Sequence, residues 1–217
     1  MPDTNTFFSG LPFLIAVVSV ADSELAVRTA RALFEGGVRA IELTLRNDAA
    51  LESIRKIREQ VPQMIIGAGT VIEAAQVKKV IDAGAVFAVA PGMNEKIAEE
   101  AAARKIPFAP GIATPSDIER ALGFGLTVLK VFPAKYLGGL PYIKSIHAPY
   151  AHLGLRFIPL GGLTFDDIDL YAKEKIILSL GGSWIVSKDD VENQKWEAIT
   201  KSAAMAVESV KKAGAKI

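Results

Sequence analysis

Cysteine is absent from the 217 residues. Disulfides, thiolate metal sites and cysteine nucleophiles are removed together, and a reducing compartment is implied, so the cytoplasm is the expected location. Histidine is scarce: only His147 and His152 are present. With no thiolate to join them, a catalytic zinc centre of the usual N/S kind has no ligand set, and neither a metal nor a cofactor is expected. An excess of charge is missing too. Lysine and arginine total 25 against 24 acidic residues, so nothing points to nucleic acid or an anionic membrane as partner. No apolar run approaches the roughly 18 residues of a membrane-spanning helix. The run from Leu11 to Val20 has no basic residue ahead of it and is followed by Asp22, which does not read as a signal peptide. There is no P-loop, no G-x-S-x-G elbow and no G-x-G-x-x-G after the first apolar run. A soluble protein with a small-molecule partner is expected.

Half of the residues are hydrophobic, and they fall into continuous runs bounded by glycine, proline or cap residues. The runs cover 13–20, 38–45, 64–71, 85–92, 105–111, 126–134, 155–162 and 175–182. Most lack polar alternation, as strands of a parallel sheet covered on both faces do. Between them lie segments of helical period at 23–37, 49–60, 73–84 and 94–105, with Gly36, Gly37 and Gly84 where C-terminal caps belong. Thr114-Pro115-Ser116-Asp117 and Thr164-Phe165-Asp166-Asp167 read as helix starts. The alternation predicts an α/β fold, a single (β/α)8 TIM barrel spanning residues 1–217 as one domain, closed by a long amphipathic helix over 190–212. The alternative is an open doubly wound sheet.

In such barrels the chemistry sits at the C-terminal ends of the strands. Lys130 stands among Val128, Leu129, Val131 and Phe132, where an unpaired ammonium is costly to bury. A lysine becomes a nucleophile when burial or a nearby cation favours its neutral form, and Arg46 is a candidate for that cation. Glu42, Thr44 and Arg46 share one face of a strand by its period of two. Glu42, flanked by Ile41 and Leu43, needs a partner and suits a proton shuttle. A purely structural pair between Glu42 and Lys130, or between Glu42 and Arg46, is the competing interpretation. Thr70 with Glu73 reads first as a T-x-x-E capping box. Gly161-Gly162 and Gly181-Gly182-Ser183-Trp184 end the last two strands, where backbone donors of glycine turns hold phosphate in many barrels. Together these residues suggest carbonyl chemistry through an imine on Lys130.

The stretches GGVRAIELTLR, GAGTV, APG, PGIAT, LKVFPA, PLGG and GGSW, in that order, resemble the 2-keto-3-deoxy-6-phosphogluconate and 4-hydroxy-2-oxoglutarate aldolase family over essentially the whole length. The resemblance implies a metal-independent, homotrimeric class I aldolase of the Entner–Doudoroff pathway. Such an enzyme splits a phosphorylated keto acid into pyruvate and glyceraldehyde 3-phosphate. It implies that Lys130 forms the Schiff base and that Glu42 is general acid and base. Arg46 and Thr70 would bind the pyruvate carboxylate, while Pro91, Phe132 and Leu160 would line the pocket. Gly161, Gly162, Gly182 and Ser183 would take the phosphate.

Three positions depart from the family pattern. Leu160 stands where the phosphogluconate enzymes usually carry threonine, Ala16 where proline is common, and Lys135 where an acid often stands. An apolar residue before the double glycine is shared with phosphogalactonate aldolases, which lack the T-L-R kept here. Phosphogluconate cleavage is therefore the favoured expectation, with hydroxyoxoglutarate cleavage as a side activity. The rival readings are a phosphosugar isomerase or epimerase and a non-catalytic phosphometabolite-binding barrel.

Overall fold

The computed structural model describes residues 4–216. Its strands are β1 (Leu14–Val18), β2 (Ala40–Thr44), β3 (Ile65–Gly69), β4 (Phe87–Val89), β5 (Phe108–Ala109), β6 (Gly111–Ile112), β7 (Val128–Val131), β8 (Arg156–Pro159) and β9 (Leu180–Gly182). The helices are α1 (Thr4–Ser9), α2 (Ser23–Glu35), α3 (Ala50–Gln60), α4 (Ala74–Ala83), α5 (Glu95–Ala103), α6 (Pro115–Gly123), α7 (Gly139–His147), α8 (Ile168–Ala172), α9 (Lys188–Glu192) and α10 (Trp196–Lys212). All strand pairs are parallel, in a six-stranded sheet of order β5-β4-β3-β2-β1-β9 and a three-stranded sheet of order β6-β7-β8.

The expected run at 105–111 is divided at Pro110, which has no N–H to give to a ladder. On one side β5 pairs with β4, and on the other β6 pairs with β7. The Pro110 carbonyl still accepts from the Lys130 N–H at 2.9 Å. At the opposite margin, Phe157 of β8 bridges Ile177, just ahead of β9.

Alternate strand residues face two different cores. Ile41 and Leu43 belong to the larger one, shared with the covering helices. Ile15, Ala40, Phe87, Val128 and Ile158 belong to an inner one. The N-terminal end of that interior is filled by α1, a helix the sequence pattern did not suggest. Phe8 meets Phe87 edge to face at 6.0 Å, and Phe7 packs on both. Gly67 makes this possible, because a Cβ there would overlap the Phe87 ring.

The helix ends follow the cap chemistry in the sequence. Thr114 and Asp117 form a reciprocal capping box with Pro115 in the first turn, and Thr164 and Asp167 form another. Gly37 and Gly84 take positive φ after α2 and α4. Two expectations fail. The helix expected at 190–212 is split into α9 and α10, with Gln194 at φ 54 and the Asn193 amide turned back onto the Asp189 carbonyl. The Thr70–Glu73 box does not form either. Glu73 is itself the N-cap of α4, boxed with Gln76, so the cap lies three residues later and leaves Thr70 on the strand side.

Candidate functional site

The site is assembled on β2, β3 and β7, whose C-terminal ends converge. Lys130 Nζ donates to Glu42 Oε1 at 3.1 Å across the interior. The residues are 5% and 3% exposed, so each charge has little water and depends on the other. The Lys130 ammonium also lies 5.6 Å from the Phe132 ring centre, a cation–π distance. Gly69 of β3 gives the carboxylate its room, since a Cβ there would overlap Glu42 Oε1. The Phe132–Pro133 peptide beyond β7 is cis.

Thr44, two residues beyond Glu42 on the same strand face, is 2% exposed, and its hydroxyl has no hydrogen-bond partner among the described residues. Thr70 stands at the end of β3 with φ 58. A β-branched residue in the left-handed region is strained, and such strain concentrates at sites of function. Arg46 is exposed above β2 and forms no ion pair among the described residues. The expected competition for Glu42 is therefore resolved in favour of Lys130. Pro91 packs directly on β6, since a Cβ on Gly111 would overlap its carbonyl.

The two glycine turns stand at the same end. Gly161 and Gly162 follow β8 with φ of 96 and 77, a conformation that glycine adopts without the cost a side chain brings. Their turn is tied to the loop after β7: the Ala134 N–H donates to the Leu160 carbonyl at 2.7 Å and the Lys135 N–H to that of Gly161 at 3.0 Å. Leu160 is buried and packs over Gly181. Gly182 ends β9, and a 3-10 turn, Ser183–Ile185, follows with Ser183 exposed. Phe165 and Trp184 stack edge to face at 6.2 Å, joining the segment after the first glycine turn to the second.

Beside these turns opens a cleft of about 670 Å3, bounded by the loop after β1, Asn47, Ser183 and α9. Val17 forms part of its wall and is the β1 partner of Glu42 in the strand register, so the cleft stands next to the ion pair without including it. Asn47 was not anticipated. Its Oδ1 is buried without a partner among the described residues, and its only signal in the sequence is its place directly after Arg46.

At the start of α6, Asp117 titrates below the ordinary carboxylate range. Burial pushes it up, but the Ala113 N–H, the hydroxyl and N–H of Thr114, and the Arg120 charge together outweigh that. The histidines lie apart from all this. His147 stacks edge-on against Phe157 at the end of α7, and His152 is exposed. Among the described residues, no group of three or more His, Cys, Asp or Glu side chains is placed to hold a metal ion, and no helix is long and apolar enough to cross a membrane.

A model of the family described as KDPG and KHG aldolase matches residues 11–202. The "KHG/KDPG aldolase" of Escherichia coli K12 is 40% identical over 198 residues, covering 91% of this chain and 92% of that protein. The 2-dehydro-3-deoxy-phosphogluconate aldolase of Dickeya dadantii is 40% identical over 194 residues, covering 89% and 90%. Among solved structures, the KDPG aldolase of Legionella pneumophila superposes with a TM-score of 0.88 at 32% identity, covering 94% of this chain and 98% of that one. That protein was captured with pyruvate as a covalent carbinolamine.

Proposed function

The chain belongs to the KDPG and KHG aldolase family, and from that premise we propose that it is a Schiff-base aldolase cleaving 2-dehydro-3-deoxy-6-phosphogluconate to pyruvate and glyceraldehyde 3-phosphate. The observation that carries the reading is the buried pair of Lys130 and Glu42. A proton passed along their 3.1 Å hydrogen bond leaves a neutral amine and a neutral acid with no change of net charge in the interior. The amine adds to the substrate C2 carbonyl, and the carbinolamine hydroxyl leaves as water with the proton that Glu42 holds, giving a protonated imine and restoring the carboxylate. Glu42, through a water, then takes the proton of the C4 hydroxyl. As the C3–C4 bond breaks, its electrons pass to the imine nitrogen and the aldehyde departs, leaving an enamine on Lys130. Return of the proton to C3 and hydrolysis of the imine release pyruvate and the free lysine.

Arg46, exposed and without a counter-ion among the described residues, and Thr70, strained at the end of β3, would hold the pyruvate carboxylate. Pro91, Phe132 and Leu160 would shape the pocket around the adduct. Gly161, Gly162, Gly182 and Ser183 would take the phosphate through backbone N–H groups and one hydroxyl, the donor set that anion-binding turns provide. We read residues 1–217 as one domain in which the two sheets close as a (β/α)8 barrel. The Lys130–Pro110 hydrogen bond and the Phe157–Ile177 bridge at its two seams support this. A cytoplasmic homotrimer in the Entner–Doudoroff pathway fits the same reading, and sedimentation would report the assembly.

Sodium borohydride added with pyruvate tests the chemistry. A reduced pyruvyl adduct mapped to Lys130 is expected. Its absence, or its presence on another lysine, would sink the imine and favour a phosphosugar isomerase. One observation favours a second substrate: Leu160 offers no hydroxyl above the interior, as in phosphogalactonate aldolases. Relative kcat/KM on the two C4-epimeric keto acids decides, with the gluconate-derived one expected to be faster.

A further inference from the structure

Resting on the reading of Lys130 as nucleophile, we propose that Thr44 is a substrate-positioning residue, whose hydroxyl forms its hydrogen bond with an oxygen of the keto acid held on Lys130. Thr44 is 2% exposed and its Oγ1 has no partner among the described residues. A hydroxyl buried in this way costs stability, whereas valine has the same shape, suits a strand equally well and brings no polar atom. Packing in β2 therefore has no use for the oxygen.

Its position gives it one. Thr44 lies two residues past Glu42, about 6.6 Å further toward the strand C-terminus on the same face. A short keto acid attached to Nζ cannot extend the other way, because Phe87 and Phe8 fill that end. It must grow past Thr44. The register neighbour of Thr44 on β3 is Gly69, so that strand puts no side chain between the hydroxyl and the ion pair. Of the other buried polar side-chain atoms without partners, Asn47 Oδ1 and Trp184 Nε1 also lie at the C-terminal strand ends. Trp184 Nε1 can donate to an oxygen of a ligand and Asn47 Oδ1 can accept from a ligand hydroxyl.

Thr44→Val and Thr44→Ser, each compared with wild type, test the assignment through melting temperature, steady-state cleavage and the rate of borohydride trapping with pyruvate. The expected result is a Val variant that melts at or above the wild type yet loses about tenfold or more in cleavage and trapping, with Ser within about threefold of wild type. A Val variant within about twofold of wild type in both rates would overturn the proposal. So would a Val variant that melts lower while Ser loses as much activity, since the side chain would then serve packing. If the wild type is itself not trapped on Lys130, the Schiff-base reading fails and Thr44 falls with it. If the wild type is trapped and only the Val variant is indifferent, the Thr44 assignment alone is wrong.

Discussion

The two ends of the interior are built with the same device and to opposite purposes. On β3, Gly67 and Gly69 face inward two residues apart. Gly67 leaves room for the Phe87 ring and Gly69 for the Glu42 carboxylate. Below, the space is filled by Phe8, Leu11, Ile15 and Val128, and every buried atom contributes to stability. Above, it is filled by an ion pair and an unpartnered hydroxyl, which stabilise the fold little or cost it something. Free energy is gathered at one end and reactivity is held at the other.

The sharpest test of that division is Lys130→Ala. With its amine gone there is no imine, and cleavage falls to background while far-UV circular dichroism still reports the folded chain. Residual cleavage that survives borohydride and pyruvate would show that the chemistry runs elsewhere. Glycine exchange at the two levels comes next. Gly69→Ala must displace the carboxylate from Lys130, so kcat is expected to drop at least about a hundredfold with only a modest change in melting temperature. Phe87→Ala should do the reverse, costing about 3–5 kcal/mol of stability by opening a cavity at the plugged end. Denaturant unfolding measures the second, and pyruvate trapping on the surviving folded protein should be nearly unchanged. Were the two variants alike in both readouts, the ends would not be separable.

Much of this was legible in the sequence, and the gaps have physical causes. The places of the strands were readable because both-face burial leaves uninterrupted apolar runs, although their bounds were not: the run at 175–182 holds a strand only over Leu180–Gly182 and that at 105–111 is divided at Pro110. The caps of α6 and the Thr164 turn were readable because their boxes are local. Glu42 and Lys130 were marked by their apolar neighbours. Their contact was one of two pairings left open, Glu42 with Lys130 or with Arg46, and the choice needs β2 and β7 to curve toward each other, which no local pattern shows. The cap reading of Thr70, which the resemblance already set beside a carboxylate-binding role, failed because T-x-x-E at 70–73 is followed three residues on by a second box, Glu73 with Gln76, and the local pattern does not say which box the backbone selects. The break between α9 and α10 was hidden because 190–212 keeps a helical period across Gln194, an exposed residue whose positive φ has no signal in the local pattern. The helix α1 had no signal beyond two phenylalanines, which only the open end of the interior explains.

Tyr171 is a third kind of buried oxygen and sharpens the contrast with Thr44. Burial is the main cause that pushes its hydroxyl up to about 12, aided by the nearby Asp167 charge and opposed by a hydrogen bond from the Leu140 backbone. The raised value means that the stability tied to the neutral phenol is complete below about pH 10 and is lost as the pH climbs toward 12, because the unfolded chain ionises first. Of the four tyrosines, Tyr150 is also raised, by its hydrogen bond to Glu119, and ultraviolet absorbance should show Tyr171 titrating last in the folded protein. Tyr171→Phe should remove that step and flatten the alkaline loss of stability. A wild type whose tyrosines all titrate near 10 would contradict it.

The smallest expected effect belongs to Ser183, and it separates the phosphate end of the site from the reacting end. The residue is exposed at the start of its 3-10 turn, so its hydroxyl supports neither the core nor the ion pair. Its loss should cost one hydrogen bond to a charged ligand, about 1.5–3 kcal/mol where solvent is excluded and less at an open turn. Ser183→Ala should therefore raise KM for the phosphorylated keto acid several-fold, with kcat little changed. Hydroxyoxoglutarate, which carries no phosphate, should be cleaved at the wild-type rate. Equal losses on both substrates would move Ser183 out of the phosphate site and place it with Lys130 and Glu42 at the reacting end.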